Sequence, residues 1–497
     1  MKTVRTAVGL LLAVWPAAGL GAAAEKPRDY KKELRQVQTY QRAKRYEQCI
    51  AACDKMLEHF TESWQQKEVT WLKIDAAVAD SRYEAALATL DSLAKAHADD
   101  KKLQAEAAMR TAGVQRSLKK HDQAVATYAK LAESAAADQP DQAAEALLRM
   151  GDVLCLELRK PREGIASYQD VARKFGEKDP KRAAEGIRRV AVTHESQTKD
   201  RLKAAAAYRS LTDQYADLFD DHSLAGFFRK AIECLLAAEK PAEAAAVAAK
   251  AEADLKAPAE KAGFGARHGE ILTAAGKPSD ARAQWRRVLC AYPLEAKACR
   301  KALAGIVEAY RAESKWAEAL GAARVLYDAA AGEQDLRAAA GVVAQAFLAV
   351  DGNLARANAF LSYQRFGRDG PDGKRGTDDD VAVNHLARVK YPPLSAAEEK
   401  LFQAAVEAQR ANYDGHRGRG FLYVYWGKPT AGAASFLRAF KSADPARLPA
   451  ASQELILVGM KAHTASFGAL AGIFEYVTYG PKGKSGKEKL PDPFAGL

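Results

Sequence analysis

Apolar residues along this chain recur at helical spacing. Ala107, Met109, Val114 and Leu118 form one such stretch, and Ala146, Leu147, Met150, Val153 and Leu154 another. Helix formers dominate, and no stretch alternates apolar and polar residues well enough to predict a strand. The helices are predicted in pairs. An Ala-rich first helix ends at a short turn, and a second begins there. The second ends near a turn signal such as Asp138-Gln139-Pro140, Asp179-Pro180, Tyr292-Pro293 or Asp444-Pro445.

The turn between the two helices carries a recurring motif. A basic residue is followed by an aromatic or proline, two spacers, a small residue, and a bulky residue four further on. Lys120-His121-Asp122-Gln123-Ala124 with Tyr128 is the clearest copy. Others are Lys160-Pro161 with Gly164 and Tyr168, Lys277-Pro278 with Ala281 and Trp285, Lys315-Trp316 with Ala319, and Lys428-Pro429 with Gly432 and Phe436. The small position falls at Cys49, Ala86, Ala124, Gly164, Ala204, Ala244, Ala281, Ala319, Ala357 and Gly432. The first nine are 37, 38, 40, 40, 40, 37, 38 and 38 residues apart, and the last gap is 75, or two periods with one degenerate copy between. A period held this long predicts an array of stacked units.

Each motif position has a physical role. The small residue lets two helices approach closely. The bulky residue one turn later fills the space between units. Pro161, Pro241, Pro278 and Pro429 suit the first turn of a helix, where a missing N–H costs nothing. The basic residue meets the negative end of the first helix dipole.

Helix–turn–helix units with small and aromatic markers resemble tetratricopeptide repeats. Gly427-Lys428-Pro429-Thr430-Ala431-Gly432-Ala433-Ala434-Ser435-Phe436 and Ala275-Gly276-Lys277-Pro278-Ser279-Asp280-Ala281 are the copies most like that family, and the resemblance covers roughly residues 30 to 480. Two features depart from it: the family's period is about 34 residues, and its early Trp-x-x-Leu-Gly-x-x-Tyr segment is mostly absent here. The resemblance implies an all-α, right-handed superhelical solenoid of about ten to twelve antiparallel helix pairs. It also implies a concave groove that holds a protein or peptide partner, and no catalytic residues.

The array pauses after Leu361. Residues 366–380 read as a Gly/Asp loop, Val381 to Pro393 as a connector, and Ser395-Ala-Ala-Glu398 as a capping box opening a new helix. Asn412 to Gly420 reads as a Gly- and Arg-containing turn, after which the repeats resume. Tyr476-x-x-Tyr479-Gly480-Pro481-Lys482-Gly483 echoes Tyr363-x-x-Phe366-Gly367 and its loop, which suggests a duplicated module. Such loops in a helical-repeat chain are similar to those of secreted tetratricopeptide proteins of planctomycete-type bacteria. The expected organisation is therefore a leader over 1–24, an array over 30–361, the loop and connector over 362–394, further repeats over 395–480 and a Gly/Lys/Pro tail over 481–497.

The leader is read from Lys2 and Arg5, the apolar run Ala7 to Ala18, and Ala22-Ala23-Ala24 before Glu25. The run is too short to span a bilayer comfortably, and the alternative to cleavage is a retained anchor helix. No later stretch is long and apolar enough to cross a membrane. The expected location is the periplasm or exterior of a bacterium. Of 497 residues, 48% are hydrophobic and 28% charged, which excludes wholesale disorder. The formal charge of +12 becomes +10 without Lys2 and Arg5, and it is spread through the chain.

Six cysteines stand at 49, 53, 155, 234, 290 and 299, with no Cys-x-x-Cys pair. Cys290 and Cys299 flank the Pro293 turn, where a bridge is conceivable in an oxidising compartment. The simpler reading for all six is buried packing.

Three candidate chemistries remain. Asp369, Asp372, Asp378, Asp379 and Asp380 cluster on the Gly-rich loop and suit calcium, although their spacing departs from an EF-hand. A solvated acidic turn explains them more simply. Arg45, Arg82, Lys120, Lys160, Lys240, Lys277, Lys315 and Lys428 occupy one place in eight repeats and would form a basic edge. Helix-end dipole complementation accounts for that row, and binding of an anionic envelope polymer is the alternative. Enzyme signatures are absent: His194-Glu195 and His268-Gly-Glu270 lack further zinc ligands, and Gly-Lys-Ser at 483–485 lacks a P-loop frame. His416-Arg-Gly-Arg-Gly420 is too short to argue for nucleic acid. The function expected is that of an exported scaffold for protein–protein interaction, without catalysis or a resident cofactor. Cleavage after Ala24 makes Glu25 the mature N-terminus. Intact mass of the exported chain checks this, and a mass that retains Met1 contradicts it.

Overall fold

A computed structural model describes residues 28–330, 333–352, 354–366, 386 and 389–460. Contacts divide the chain into two units, Met1–Arg182 and Ala183–Leu497. The first unit contains α1 (Tyr30–Arg42), α2 (Tyr46–His59), α3 (Ser63–Ala79), α4 (Tyr83–Ala96), α5 (Lys101–Ser117), α6 (His121–Ser134), α7 (Pro140–Asp152) and α8 (Pro161–Phe175). The division falls in the first turn of α9 (Pro180–Thr193). The second unit continues with α10 (Arg201–Gln214), α11 (Asp221–Ala237), α12 (Pro241–Asp254), α13 (Pro258–Ala274), α14 (Pro278–Ala291), α15 (Ala296–Ala312), α16 (Trp316–Asp328), α17 (Glu333–Asp351) and α18 (Leu354–Phe366). It closes with α19 (Ala396–Glu407), α20 (Tyr413–Tyr425), α21 (Pro429–Lys441) and α22 (Leu448–Glu454). Consecutive helices pack on one another from α1 to α8, from α10 to α18 and from α19 to α22, and no strand occurs among the described residues.

The helices pair as α1/α2 through α17/α18, and then as α20/α21. In all ten pairs the small marker is the fourth residue of the second helix. Ala86, Ala124, Ala204, Ala244, Ala281 and Ala319 are 0% exposed, and Ala357, Gly164 and Gly432 are buried. A Cβ on Gly164 would lie 2.2 Å from Cys155 Sγ, and one on Gly432 would lie 3.0 Å from Val424 Cγ2. At Gly164 only glycine permits the observed approach, and at Gly432 a methyl would need its neighbours to give by a few tenths of an ångström.

The turns share one backbone device. The residue five before each marker has positive φ: Lys44, Ser81, Lys119, Arg159, Lys199, Glu239, Gly276, Ser314, Gly352 and Gly427. The next residue is the N-cap of the second helix. Its N–H reaches back to a first-helix carbonyl, as in Arg45→Tyr40, Lys120→Gln115, Lys240→Leu235, Lys315→Tyr310 and Lys428→Tyr423, at 2.8–2.9 Å. This is the Schellman closure of one helix and the start of the next in two residues.

The long period also has a local cause. From helix start to marker takes 23 residues in α3/α4, α5/α6, α11/α12, α13/α14 and α15/α16. It takes 24 in α7/α8 and α9/α10, whose first helices run into π turns at Val153–Glu157 and His194–Thr198. A π turn absorbs one inserted residue without breaking the helix.

Aromatic residues four beyond the marker wedge the array. Trp285 sits on Gly269 of its own first helix and Gly305 of the next, where added methyls would lie 2.2 and 2.4 Å from the indole. Its Nε1 donates to Ala266 O at 3.0 Å. Tyr168 lies on Gly151, and Phe436 on Gly420. From Ala262 to Val458 the second unit shares one continuous apolar core.

Two sequence expectations change, and of the two readings of the cysteines the buried one holds. Asn412 to Gly420 is not a turn: Asn412 caps α20, accepting from Gly415 N at 2.9 Å, and Gly415, Gly418 and Gly420 are buried inside the helix. Their glycines serve close packing, since Cβ atoms would meet Arg410 O, Gln409 Oε1 and Phe436. Cys290 and Cys299 are not bridged: all six thiols are free and buried, Cys299 Sγ donates to Tyr292 O at 3.1 Å, and burial pushes both thiols up to about 12. The degenerate copy between Ala357 and Gly432 is, among the described residues, one helix and a strap rather than a hairpin. Val389–Pro393 lies on α16: Arg324 donates to Val389 O and stacks on Tyr391, whose hydroxyl donates to Asp328 at 2.9 Å. The Ser395–Glu398 capping box then opens α19 with both reciprocal bonds made.

Seven of the ten left-handed turn residues carry a Cβ, at roughly 1 kcal/mol each. Glu239→Gly should therefore stabilise the chain by about 1 kcal/mol, and Gly276→Ala in the next hairpin should destabilise it by about as much. Urea midpoints of the full chain check the pair, and shifts of the same sign would contradict it.

Candidate interaction face

Pairing through the turns leaves first helices side by side, with one face uncovered. On the second unit this face carries two cavities. One of about 410 Å³ lies over α9 and α11, lined by Arg188, Val192, Gly226 and Phe227. One of about 580 Å³ lies over α11, α13 and the start of α15, lined by Ile232, Gly263, Phe264 and Ala298. Arg229 and Glu233 line both, so the two form one groove. Val192 is 41% exposed in it. Gly226 and Gly263 have nothing within 4 Å of where a Cβ would stand. On the first unit the same face holds a cavity of about 540 Å³ over α5 and α7, again with an open glycine, Gly113. A further hollow of about 900 Å³ lies between α4 and α6 over an Ala-rich floor on α5.

Ion pairs tie successive first helices together beside these grooves. Lys230 reaches Glu195 at 3.1 Å, Arg229 reaches Glu260 at 3.0 Å, and Lys301 reaches Glu270 at 2.7 Å. In the first unit Arg116 holds Glu157 at 2.5 Å. Burial alone would raise Glu195. The Tyr208 hydroxyl, donating at 2.8 Å, and the Lys230 ammonium overcome it and hold the carboxyl below its ordinary value. The same bond, after burial, pushes Tyr208 up. The groove is thus lined by charges already matched to one another, with apolar and glycine surface between them.

The residues singled out from the sequence lie elsewhere. Ala86, Ala124, Gly164, Ala204, Ala244, Ala281, Ala319, Ala357 and Gly432 are inside the hairpins and touch no ligand surface. Arg45, Arg82, Lys120, Lys160, Lys240, Lys277, Lys315 and Lys428 are all exposed at hairpin turns. Arg82 pairs with Asp80 at 2.6 Å and with Glu47, Lys315 pairs with Glu313 at 2.6 Å, and Lys428 lies over Trp426 at 4.0 Å. Each of these cations stands at the C-terminal end of one helix and at the N-cap of the next, so the two dipoles act on it with opposite sign. Asp369, Asp372, Asp378, Asp379 and Asp380 lie outside the described residues, as do the leader and the tail. Among the described residues no cluster of three His, Cys, Asp or Glu is placed to hold a metal, and no helix is long and apolar enough to cross a membrane. Gly226 and Gly263 stand at the same place in their repeats, 18 residues before the markers Ala244 and Ala281 and each followed by a phenylalanine, a signal that the motif reading passed over.

No protein-family profile matches the chain, and no curated protein does. Solved structures resemble it at low identity. A tetratricopeptide repeat protein from Parabacteroides merdae is 11% identical over 55% of this chain and 98% of its own, with a TM-score of 0.30. The TPR domain of P58(IPK) is 11% identical over 88% and 98%, with a TM-score of 0.20. The Cut9–Hcn1 hetero-tetramer of APC/C is 11% identical over 91% and 93%, with a TM-score of 0.26. The chain is an all-α array of tetratricopeptide-like helical hairpins. That statement rests on its own geometry among the described residues: ten hairpins, one small residue at the fourth position of every second helix, a left-handed residue in every turn, and the return hydrogen bond in eight of the ten.

Because Glu195 is held below its ordinary pKa, its ion pair contributes stability above about pH 4.5 and loses it as pH falls through the lowered value. Lys230→Met should therefore destabilise the chain at neutral pH and progressively less on acidification. Thermal midpoints of both proteins between neutral pH and pH 3 check this, and a gap that widens in acid would contradict it.

Proposed function

We propose that this protein is an interaction scaffold that holds a segment of a partner protein along its first-helix face, with the second-unit groove as the principal seat. The single observation that carries this reading is the open glycine pair in that groove. Glycine inside a helix costs about 1 kcal/mol against alanine. At Gly151, Gly269 and Gly420 an aromatic ring explains the glycine. At Gly226 and Gly263 none of the described residues occupies the space, and a docked backbone would. The matched charges along the walls give such a segment polar partners without a bare buried charge. A pre-formed helical surface keeps the ordering cost of binding low. The tetratricopeptide-like fold supports the same reading, and the groove presents no grouped nucleophile, acid and base for catalysis. We place the scaffold outside the cytoplasm, on the strength of the leader sequence.

Peptide-display selection on the full chain tests this. Selected peptides should bind the unaltered protein and lose at least about tenfold affinity for the double variant Gly226→Leu, Gly263→Leu. New side chains there enter open space, so the thermal midpoint should not fall. Peptides that bind both proteins equally, or no enrichment at all, would contradict the proposal.

A further inference from the structure

The turns of the first unit carry cations that stability does not explain. At α1/α2 they are Lys44 and Arg45, at α5/α6 Lys119 and Lys120, and at α7/α8 Arg159 and Lys160. All six are exposed, and among the described residues none forms an ion pair. The first of each doublet sits at the left-handed position, with φ of 56°, 61° and 56°. Glycine fills that position more cheaply, as it does at Gly276, Gly352 and Gly427. The second of each doublet is the N-cap of α2, α6 or α8, where no side chain accepts from the first-turn N–H groups. The dipole of the preceding helix favours a cation there and that of the following helix opposes it, so the two together do not account for it. The acids on these turns are few. Glu47 is taken by Arg82, which Asp80 also holds, while Asp122 stands against two lysines and Glu163 against three cations including Arg162. The corresponding second-unit turns differ: Lys240 stands between Glu239 and Glu243, Lys277 near Asp280, and Lys315 between Glu313 and Glu318.

We infer that the turn edge of the first unit binds a linear polyanion, its negative groups passing from one cation doublet to the next. The α5/α6 and α7/α8 doublets lie on consecutive stacked hairpins, so an extended chain of phosphate or sulfate groups can pass from one to the other. Lysine and arginine supply charge and paired donors to such oxygens. The bare N–H groups of the helix starts add further donors of the same sign. This edge is distinct from the first-helix groove of the second unit, so the two readings stand or fall separately.

Titration of the full chain with inorganic polyphosphate, dextran sulfate and neutral dextran tests the inference. Binding to one or both polyanions and not to neutral dextran is expected, weakening steeply with salt. Polyphosphate alone would identify phosphate as the group recognised, and binding of dextran sulfate as well would identify charge density. The variant K119G/K120Q/R159G/K160Q should bind at least about tenfold more weakly, with a salt slope shallower by about 3 for the four charges lost. Its two new glycines relieve the left-handed turns, so its thermal midpoint should hold or rise, which separates lost binding from lost fold. The second-unit variant K240Q/K277Q should bind as the unaltered chain does. Equal binding by the first-unit variant, an equal loss in the second-unit variant, or no binding to either polyanion would overturn the inference.

Discussion

One backbone closure governs this protein. A left-handed residue ends each first helix, and in eight of the ten turns the following N–H returns to that helix while its own carbonyl starts the next. Two residues thereby fix the angle between the helices of a pair. Everything beyond depends on that angle. The fourth residue of the second helix is carried into the first, so it must be small. The eighth points between units, where an aromatic ring can reach glycines on two successive first helices, as Trp285 does.

Much of this was legible in the sequence, because packing positions carry both a residue type and a period. Ala86, Ala124 and Ala281 announce themselves by size and spacing, and Pro278 or Pro429 by its place at a helix start. The left-handed position was hidden for a physical reason: Lys, Ser, Arg or Glu occupies it in seven turns, so no glycine marks it. Gly415, Gly418 and Gly420 misled in the other direction. Three glycines with arginines between them read as a turn, yet each is a contact point inside α20. The basic row was visible, but its meaning was not. Only the structure shows that the same residue closes one helix and caps the next, which removes dipole complementation as its reason.

The groove was the least legible feature: Gly226 and Gly263 repeat at one place before their markers, but nothing in the sequence says that the space above them is open. What distinguishes it is a contrast between glycines. Some lie under an aromatic ring, and within helices Gly113, Gly226, Gly263 and Gly341 lie under none of the described residues. The C-terminal part of the chain shows what an occupied surface looks like here. The strap at Val389–Pro393 is held by Arg324 and Asp328, and Gly321 is bare because a Cβ would lie 2.6 Å from Lys390 O. Glycine admitting a backbone is thus already a working contact in this fold.

Residue-resolved hydrogen exchange on the full chain tests the turn closure most directly. The account predicts slow exchange at the N–H of Arg45, Arg82, Lys120, Lys240, Lys277, Lys315 and Lys428, although every one of these side chains is exposed, because each N–H is bonded into the preceding helix. Exchange at these positions as fast as in an unbonded loop would mean that the helices are joined by open turns, and the shared hairpin geometry would be wrong.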